Sequence, residues 1–98
     1  MHVHAHEDEL FCVLEGQHVF VVGDEVHQLG PGGMVFAPRG IPHAQRRVVP
    51  HEGRLLVMMT PAGLEGFFRA LAAAQDAGML GPEAYAEASE RHGITWLS

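Results

Sequence analysis

The stretch HVHAHEDELFCVLEG, residues 2–16, places three histidines and three acidic residues in its first eight positions, directly before an apolar run. In an extended strand, residues two apart point to the same side, so His2 and His4 face together. Glu9 has the opposite parity, and we expect a turn within residues 5–8 to bring it to that side. A carboxylate that faces a protein interior is costly unless it is paired, and a metal ion held by imidazoles would pair with it. The stretch therefore predicts a metal site at the start of a β-structure.

The apolar run that follows predicts a strand with two apolar faces. Phe11 and Val13 lie on the metal-facing side, and Leu10, Cys12 and Leu14 alternate with them. We therefore expect this strand to be covered on both faces, with Cys12 as a buried thiol that points away from the metal.

Residues up to 60 consist of short runs rich in β-branched and aromatic residues, each bounded by turn residues. The runs cover residues 10–15, 18–23, 25–29, 34–38, 43–49 and 54–60. Short strands at this spacing are typical of an antiparallel sandwich or barrel. The predicted fold class is therefore all-β, in a domain that covers residues 1–60.

A helical pattern replaces the strand pattern in residues 61–98. Thr60 is a typical N-cap residue and Pro61 is favoured at the first helical position, so we predict that a helix begins here. Gly78 is expected to end this helix. Its apolar residues recur at helical spacing, at Leu64, Phe67, Phe68 and Leu71.

A second short helix is predicted from Pro82 until just before Gly93. We predict that Tyr85 and Ala88 face its buried side. Residues 94–97 fit either a short closing strand or an extended tail. Both helices are expected to pack on the barrel exterior or on a neighbouring subunit.

Composition excludes several classes of function. The 98 residues fit one domain, and twelve Asp and Glu against six Arg give a formal net charge of −6. An acidic balance argues against binding to nucleic acid, which needs a basic face. No apolar run approaches the roughly 20 residues that cross a bilayer, and no secretory signal precedes the histidines. The single cysteine cannot form an internal disulfide, so we expect a cytoplasmic protein without membrane partners.

A second motif lies between residues 32 and 43. Glycine, five residues, Pro-x-Gly, two residues and histidine correspond to Gly32, Pro38, Gly40 and His43. The first motif is His-x-His, a short gap, glutamate, six residues and glycine. With these two motifs, the chain resembles a small single-domain cupin of the quercetin-dioxygenase-like type. The first motif matches His2, His4, Glu9 and Gly16. The asparagine that closes the second motif in the family is Arg47 here.

The resemblance implies a cupin β-barrel, which is a double-stranded β-helix or jelly roll of antiparallel strands. It also implies one divalent ion (Fe, Mn, Ni, Cu or Zn) bound by His2, His4, Glu9 and His43. Four protein ligands leave open positions on an ion that prefers five or six, as a catalytic site requires. Glu9 could in addition act as a catalytic base if it leaves the ion.

Candidate substrate contacts follow from strand parity. Phe11 faces the metal side, and Gln45 and Arg47 have the parity of His43 and would face the same cavity. For Arg47 the alternative is that strand twist carries it to the rim. Further apolar cavity candidates, for which plain core is the simpler interpretation, are Val13, Phe20, Val35 and Met58.

The remaining histidines have simpler interpretations. His6 could replace a histidine of the first motif only if the register slipped, so we interpret it as a solvent-facing loop residue. His18 and His27 are expected at the surface or the rim, and His51 in a turn.

The start of the domain departs from the family. Cupins usually carry a few dozen residues before the first motif, whereas Met1 adjoins a candidate ligand here. We expect either that the native chain starts further upstream or that a second subunit supplies the missing edge strand. The second case predicts a homodimer with an open sheet edge as its interface.

The leading hypothesis for function is a metal-dependent oxidoreductase of the dioxygenase type that acts on a small organic substrate. One alternative is a non-catalytic cupin module that binds or senses a small molecule, and another is an isomerase on a keto or sugar substrate. A degenerate domain without metal is the third.

Overall fold

The computed structural model describes residues 1–48 and 52–97, in which eight strands and two helices occur. The strands are β1 (His2–His4), β2 (Asp8–Glu15), β3 (His18–Val22), β4 (Glu25–Leu29), β5 (Met34–Ala37), β6 (His43–Arg47), β7 (Arg54–Thr60) and β8 (Ile94–Trp96). The helices α1 (Glu65–Asp76) and α2 (Pro82–Arg91) stand between β7 and β8 in the chain.

The strands form two antiparallel sheets that pack as a sandwich. One sheet has the order β4-β3-β6-β1-β8, and the other has the order β5-β2-β7. The predicted all-β fold class with two C-terminal helices is confirmed, and β2 to β7 correspond to the six predicted runs. The last residue of the fifth run, Val49, and the turn residues Pro50 and His51 lie outside the described residues.

Two apolar clusters hold the layers together. The first lies between the sheets, where the rings of Phe11 and Phe20 are 5.3 Å apart. It consists of Phe11, Val13, Phe20 and Ala37. The second cluster joins the helices to β8 and consists of Leu64, Phe67, Ala88 and Ile94. Met59 of β7 packs against the second cluster, so the helices contact both sheets.

The first helix begins later than the sequence predicts. The prediction that Thr60 and Pro61 begin a helix is wrong, because Thr60 is the last residue of β7 and pairs with Asp8. The helix α1 begins at Glu65, whose carboxylate accepts the backbone N–H of Gly63 at 2.9 Å. Thr60 has a local preference for a helix N-cap. Pairing of β7 with β2 satisfies backbone hydrogen-bonding groups along the whole strand and therefore decides its conformation.

The helices bury a narrower face than their periodicity predicts. Phe67 and Ala88 are buried, whereas Phe68 and Tyr85 are exposed, so the prediction that Tyr85 faces the buried side is wrong. Two short helices cover only a narrow strip of the sandwich, and side chains at the margins of the apolar face stay in solvent. In the described part of the chain, neither helix is long and apolar enough to cross a membrane.

The residues after the second helix form a strand, one of the two structures that the sequence permits. β8 pairs antiparallel with β1 and places Ile94 opposite His4 and Trp96 opposite His2. Further backbone hydrogen bonds flank these paired residues on both sides. β1 is therefore held between β6 and β8.

The strand β2 is covered on one face only. Phe11 and Val13 are buried between the sheets, whereas Leu10 and Cys12 are half-buried and Leu14 is exposed. The prediction of a strand covered on both faces is therefore wrong. The helices, which could have covered the outer face, pack at β8 and at the end of β7 instead.

Gly16 is required by close packing as well as by its backbone conformation. It has φ +81°, and a Cβ at this position would collide with the carbonyl oxygen of Glu52. Gly32 has a similar φ of +88°, but a Cβ there would meet no atom within 4 Å. We expect Gly32→Ala to lower the free energy of unfolding by about 1 kcal/mol and Gly16→Ala by roughly 2–4 kcal/mol. Equal losses in urea unfolding would contradict this explanation.

Candidate metal centre

Three histidines and one glutamate meet in one place. His2 and His4 come from β1, Glu9 is the second residue of β2, and His43 is the first residue of β6. One ligand atom from each of these four residues lies within 4.8 Å of the other three. The chain bends at residues 5–6 between β1 and β2, within the segment where the parity of Glu9 requires a turn. The structure therefore brings all four candidate ligands together.

Backbone pairing and an ion pair connect the two motifs. β1 pairs with β6, and the N–H of Gly40 donates to the carbonyl oxygen of His4 at 2.8 Å. Asp8 accepts hydrogen bonds from the backbone N–H of Arg39 at 2.8 Å and from its guanidinium at 3.2 Å. These hydrogen bonds lower the pKa of the Asp8 carboxyl, so the pair is ionised at neutral pH. The first motif is therefore fixed directly to the turn that precedes His43.

Burial sets the protonation of the cluster. The pKa of His2 is lowered to about 4, because the ring is desolvated and lies beside His43 and His4. Desolvation also lowers the pKa of His43. Burial alone would raise the pKa of Glu9, but the hydrogen bond from His4 and the neighbouring imidazoles lower it overall. At neutral pH, His2 and His43 are therefore uncharged and Glu9 is an anion.

The buried atoms of the cluster suit a metal ion. Nε2 of His4 lies 2.7 Å from Oε1 of Glu9. Nε2 of His43 is 3.7 Å from the same oxygen and has no hydrogen-bond partner in the described chain. Because Nδ1 of His43 donates to the carbonyl oxygen of Ile41 at 3.4 Å, Nε2 keeps its lone pair. Neutral imidazoles and a carboxylate are ligands that Fe, Mn, Ni, Cu and Zn accept, so the four residues fit one divalent ion.

Glu7 adds a buried carboxylate next to His4. Its Oε1 lies 3.5 Å from Nδ1 of His4, and within the described residues neither atom has a hydrogen-bond partner. Metal-bound histidines usually donate the second ring N–H to a carboxylate or a carbonyl. Glu7 was not among the residues predicted for the site, although its position three residues after His4, at the expected turn, was a signal.

An apolar pocket lies beside the cluster. Its volume is about 310 Å³, within the range of small-molecule sites. His2, His4 and Glu9 supply the polar part of its lining, and the apolar part includes Phe11, Met59, Phe67, Phe68 and Trp96. The indole N–H of Trp96 donates to Ser89 at 2.8 Å, and its ring lies 4.9 Å from that of His2.

Comparison with known protein families gives a match that runs from β1 into β7. The model of the cupin domain matches residues 1–59, which is more than half of the chain. The chain belongs to the cupin family. None of the curated proteins matches it. The family match confirms the resemblance seen in the two histidine motifs.

Solved structures similar to this cupin come from bacteria and a yeast. The protein TT1209 from Thermus thermophilus is 41% identical with a TM-score of 0.58, over 60% of this chain and 56% of that one. The Cnp3 cupin domain of Schizosaccharomyces pombe is 23% identical with a TM-score of 0.54, over 65% and 47%. The plu4264 protein from Photorhabdus luminescens is 17% identical with a TM-score of 0.50, over 93% and 60%. The latter two show the fold alone, and the cupin spans less than two thirds of all three.

The residues predicted to contact the substrate line two different cavities. Phe11 lines the pocket beside the cluster, with its ring 6.0 Å from that of His43. Gln45 and Arg47 are exposed and line a different, open cavity together with His18. Their role in substrate binding stays a prediction, and their placement in the described structure gives no contact with the pocket.

Two side chains lie where the sequence did not predict them. His18 is only 3% exposed and donates from Nε2 to the carbonyl oxygen of Glu15 at 3.0 Å, so the expectation of a surface or rim residue is wrong. Met58 is exposed on the outer face of β7, and its neighbour Met59 lines the pocket instead. His6 is exposed in the bend between β1 and β2, as its interpretation as a loop residue requires.

Proposed function

We propose that this cupin binds one divalent metal ion and is an oxidoreductase of the dioxygenase type. The substrate would be a small, largely apolar organic compound with an enol or hydroxyl oxygen. The observation that carries the proposal is that His2, His4 and Glu9 form the polar part of an otherwise apolar pocket. A compound that fills such a pocket would place its apolar body against the aromatic wall and its oxygen beside the cluster.

His2, His4, Glu9 and His43 would hold the ion. When bound, a metal of this kind supplies Lewis-acid and redox chemistry that no side chain provides. In a dioxygenase reaction of the cleaving kind, both atoms of O₂ enter the product as a carbon–carbon bond breaks, so no outside reductant is needed. The chain would hold the substrate in place and keep water away from it, which Phe67 and Trp96 are placed to do.

Glu9 is the residue proposed to move a proton. Its carboxylate is ionised at neutral pH and borders the pocket, so it can accept the proton of a substrate hydroxyl if it leaves the ion. Among the described residues that line the pocket, the histidines and the glutamate of the cluster are the only acids or bases. Isomerisation of a keto or sugar compound usually needs a further acid or base, so the lining favours oxygen chemistry.

The same lining is compatible with a second function, a binding module without turnover. A pocket that is polar only at the cluster could hold an apolar ligand and release it unchanged. Turnover separates the two functions, since a binding module would hold the same compounds without consuming oxygen.

Oxygen consumption tests the proposal. The protein would be loaded separately with Fe, Mn, Ni, Cu and Zn and supplied with flavonols, β-diketones and catechols. We expect oxygen uptake with at least one redox-active metal and one compound class, and none with Zn, which has no redox chemistry. The variant His43→Ala should be inactive in the same assay. Binding of these compounds without any oxygen uptake would contradict the proposed enzyme activity and favour the binding module.

Glu7→Ala is expected to weaken metal binding about 10- to 100-fold, because His4 would lose the buried carboxylate that lies 3.5 Å from its second ring nitrogen and could accept its N–H in the metal-bound protein. Glu7→Gln keeps an acceptor oxygen and should recover part of this loss. The matched control is Glu15→Ala at the exposed end of β2, which should bind metal like the wild type. Competition with a chelator measures all three affinities. Wild-type affinity in Glu7→Ala would show that Glu7 has no orienting role.

A further inference from the structure

A second cavity lies at the end of β6 that is opposite to His43. Its volume is about 540 Å³, within the range of small-molecule sites. Among the described residues, this cavity and the pocket beside the metal cluster share no lining residue. We call it the arginine cavity. It is lined by His18, Gln45, Arg46, Arg47, Gly53 and Leu55.

Three elements of the chain converge on the arginine cavity. Strand register places His18 of β3 directly opposite Arg47 of β6, on the same side of the sheet. Gly53, just before β7, faces both residues, since a Cβ there would lie 2.7 Å from Cε1 of His18 and 3.0 Å from Cδ of Arg47. The φ of Gly53 lies outside the left-handed region, so the backbone itself does not call for glycine. The missing side chain therefore leaves room where the imidazole and the arginine meet.

Arg46 and Arg47 bring two positive charges to this cavity. Three other arginines form ion pairs, but among the described residues neither Arg46 nor Arg47 has a carboxylate within ion-pair distance. Residues 49–51 contain no Asp or Glu. In a chain with a formal net charge of −6, two adjacent arginines without a carboxylate are a local exception. The parallel N–H groups of a guanidinium match a carboxylate, so the cavity suits an organic acid.

His18 and Gln45 add hydrogen-bonding groups that a simple anion would not use. His18 is 3% exposed, and its Nε2 donates to the carbonyl oxygen of Glu15 at 3.0 Å. Its Nδ1 therefore keeps a lone pair, and this buried atom has no hydrogen-bond partner in the described chain. The amide of Gln45 can both donate and accept. An accepting nitrogen beside an amide suits a hydroxyl group, which donates to the one and accepts from the other.

We propose that the arginine cavity binds a small hydroxycarboxylate without the metal ion. The carboxylate would lie on the guanidinium of Arg47, the hydroxyl group between His18 and Gln45, and the carbon chain against Leu55. The proposal does not depend on the proposed function, because none of the four candidate metal ligands lines this cavity. Sulfate would use the arginines but has no hydrogen to donate to His18 at neutral pH.

Titration of the metal-free wild-type protein with malate, followed by amide chemical shifts in NMR spectra, tests the proposal. We expect a dissociation constant of about 1 mM or tighter, within reach of one charge-assisted contact and a hydroxyl group. The amides of His18, Arg47 and Gly53 should shift, whereas the indole N–H of Trp96 in the metal pocket should not. Succinate, which lacks the hydroxyl group, should bind about 3- to 10-fold more weakly, and so should sulfate.

Arg47→Gln is expected to weaken malate binding at least about tenfold, because the carboxylate loses a charge-assisted hydrogen bond. The matched control is Arg69→Gln, which removes the same charge from an exposed position on α1 and should bind like the wild type. Gly53→Ala should also weaken binding at least about tenfold, since its Cβ would fill the space beside His18 without a change in charge. Circular dichroism would verify that the variants are folded, and the exposed Arg47 decides the test if Gly53→Ala is not.

Three results would overturn the proposal. The first is an unchanged wild-type spectrum at about 20 mM malate, roughly 20 times the expected dissociation constant. The second is wild-type affinity in folded Arg47→Gln, because the site would then lie elsewhere. The third is equal affinity for malate, succinate and sulfate, which would mean that the cavity recognises negative charge alone.

Discussion

The variant His43→Ala is expected to bind a divalent ion at least about 1,000-fold more weakly than the wild-type protein and to be purified without metal. His43 is 2% exposed, and its Nε2 is a buried atom without a hydrogen-bond partner among the described residues. Alanine would remove one of four ligands and leave the other three, with Glu9 as their anion, to hold the ion alone. Elemental analysis of the purified protein and chelator competition measure the effect.

His27→Ala is the matched control for this prediction. His27 is a histidine on β4, where it contacts Glu25 at 3.0 Å, and it takes no part in the cluster. Its loss removes an imidazole without touching a candidate ligand, so metal content should equal that of the wild type. If both variants retained one ion per chain, the ligand assignment of His43 would be wrong.

Phe20→Ala is expected to lower the free energy of unfolding by about 3–5 kcal/mol, the largest stability effect that we predict. Phe20 is 1% exposed, and its ring packs against Phe11 between the two sheets. A small domain has only about 5–15 kcal/mol of stability in total, so this loss approaches what the fold can tolerate. Urea unfolding followed by circular dichroism, at one fixed protein concentration, measures the change.

Val26→Ala controls for the loss of an apolar side chain from a strand. Val26 of β4 pairs with Val21 of β3 and is mostly exposed. Its truncation should therefore lower the free energy of unfolding by less than about 1 kcal/mol. A similar loss in the two variants would mean that Phe20 does not occupy the centre of the core.

The sequence predicts the candidate ligands because their geometry is local or set by short turns. His2 and His4 share a face by strand parity, and the parity of Glu9 requires the bend that the chain makes at residues 5–6. The place of His43 follows from the resemblance to the cupin motifs, and the strand pairing of β1 with β6 explains it physically.

Long-range packing decides the features that the sequence does not predict. Thr60 has a strong capping preference, but its pairing with Asp8 makes it part of β7. Residues 94–96 carry no local signal that selects β1 as their partner. Parity predicts that Gln45 and Arg47 share the face of His43 but does not give their distance from the cluster. In the structure β1 pairs with β6 at His43 alone.

The outer face of the β5-β2-β7 sheet shows a further limit of pattern reasoning. Apolar residues on both faces of β2 predict burial on both sides, and the structure of one chain buries only the inner side.

A crystal structure of the metal-loaded protein, with diffraction data collected on both sides of the metal absorption edge, tests the central claim most directly. We predict one anomalous peak per chain, about 2.0–2.2 Å from a ring nitrogen of His2, His4 and His43 and from a carboxylate oxygen of Glu9. Electron density with these four side chains apart, and no anomalous peak among them, would contradict the account.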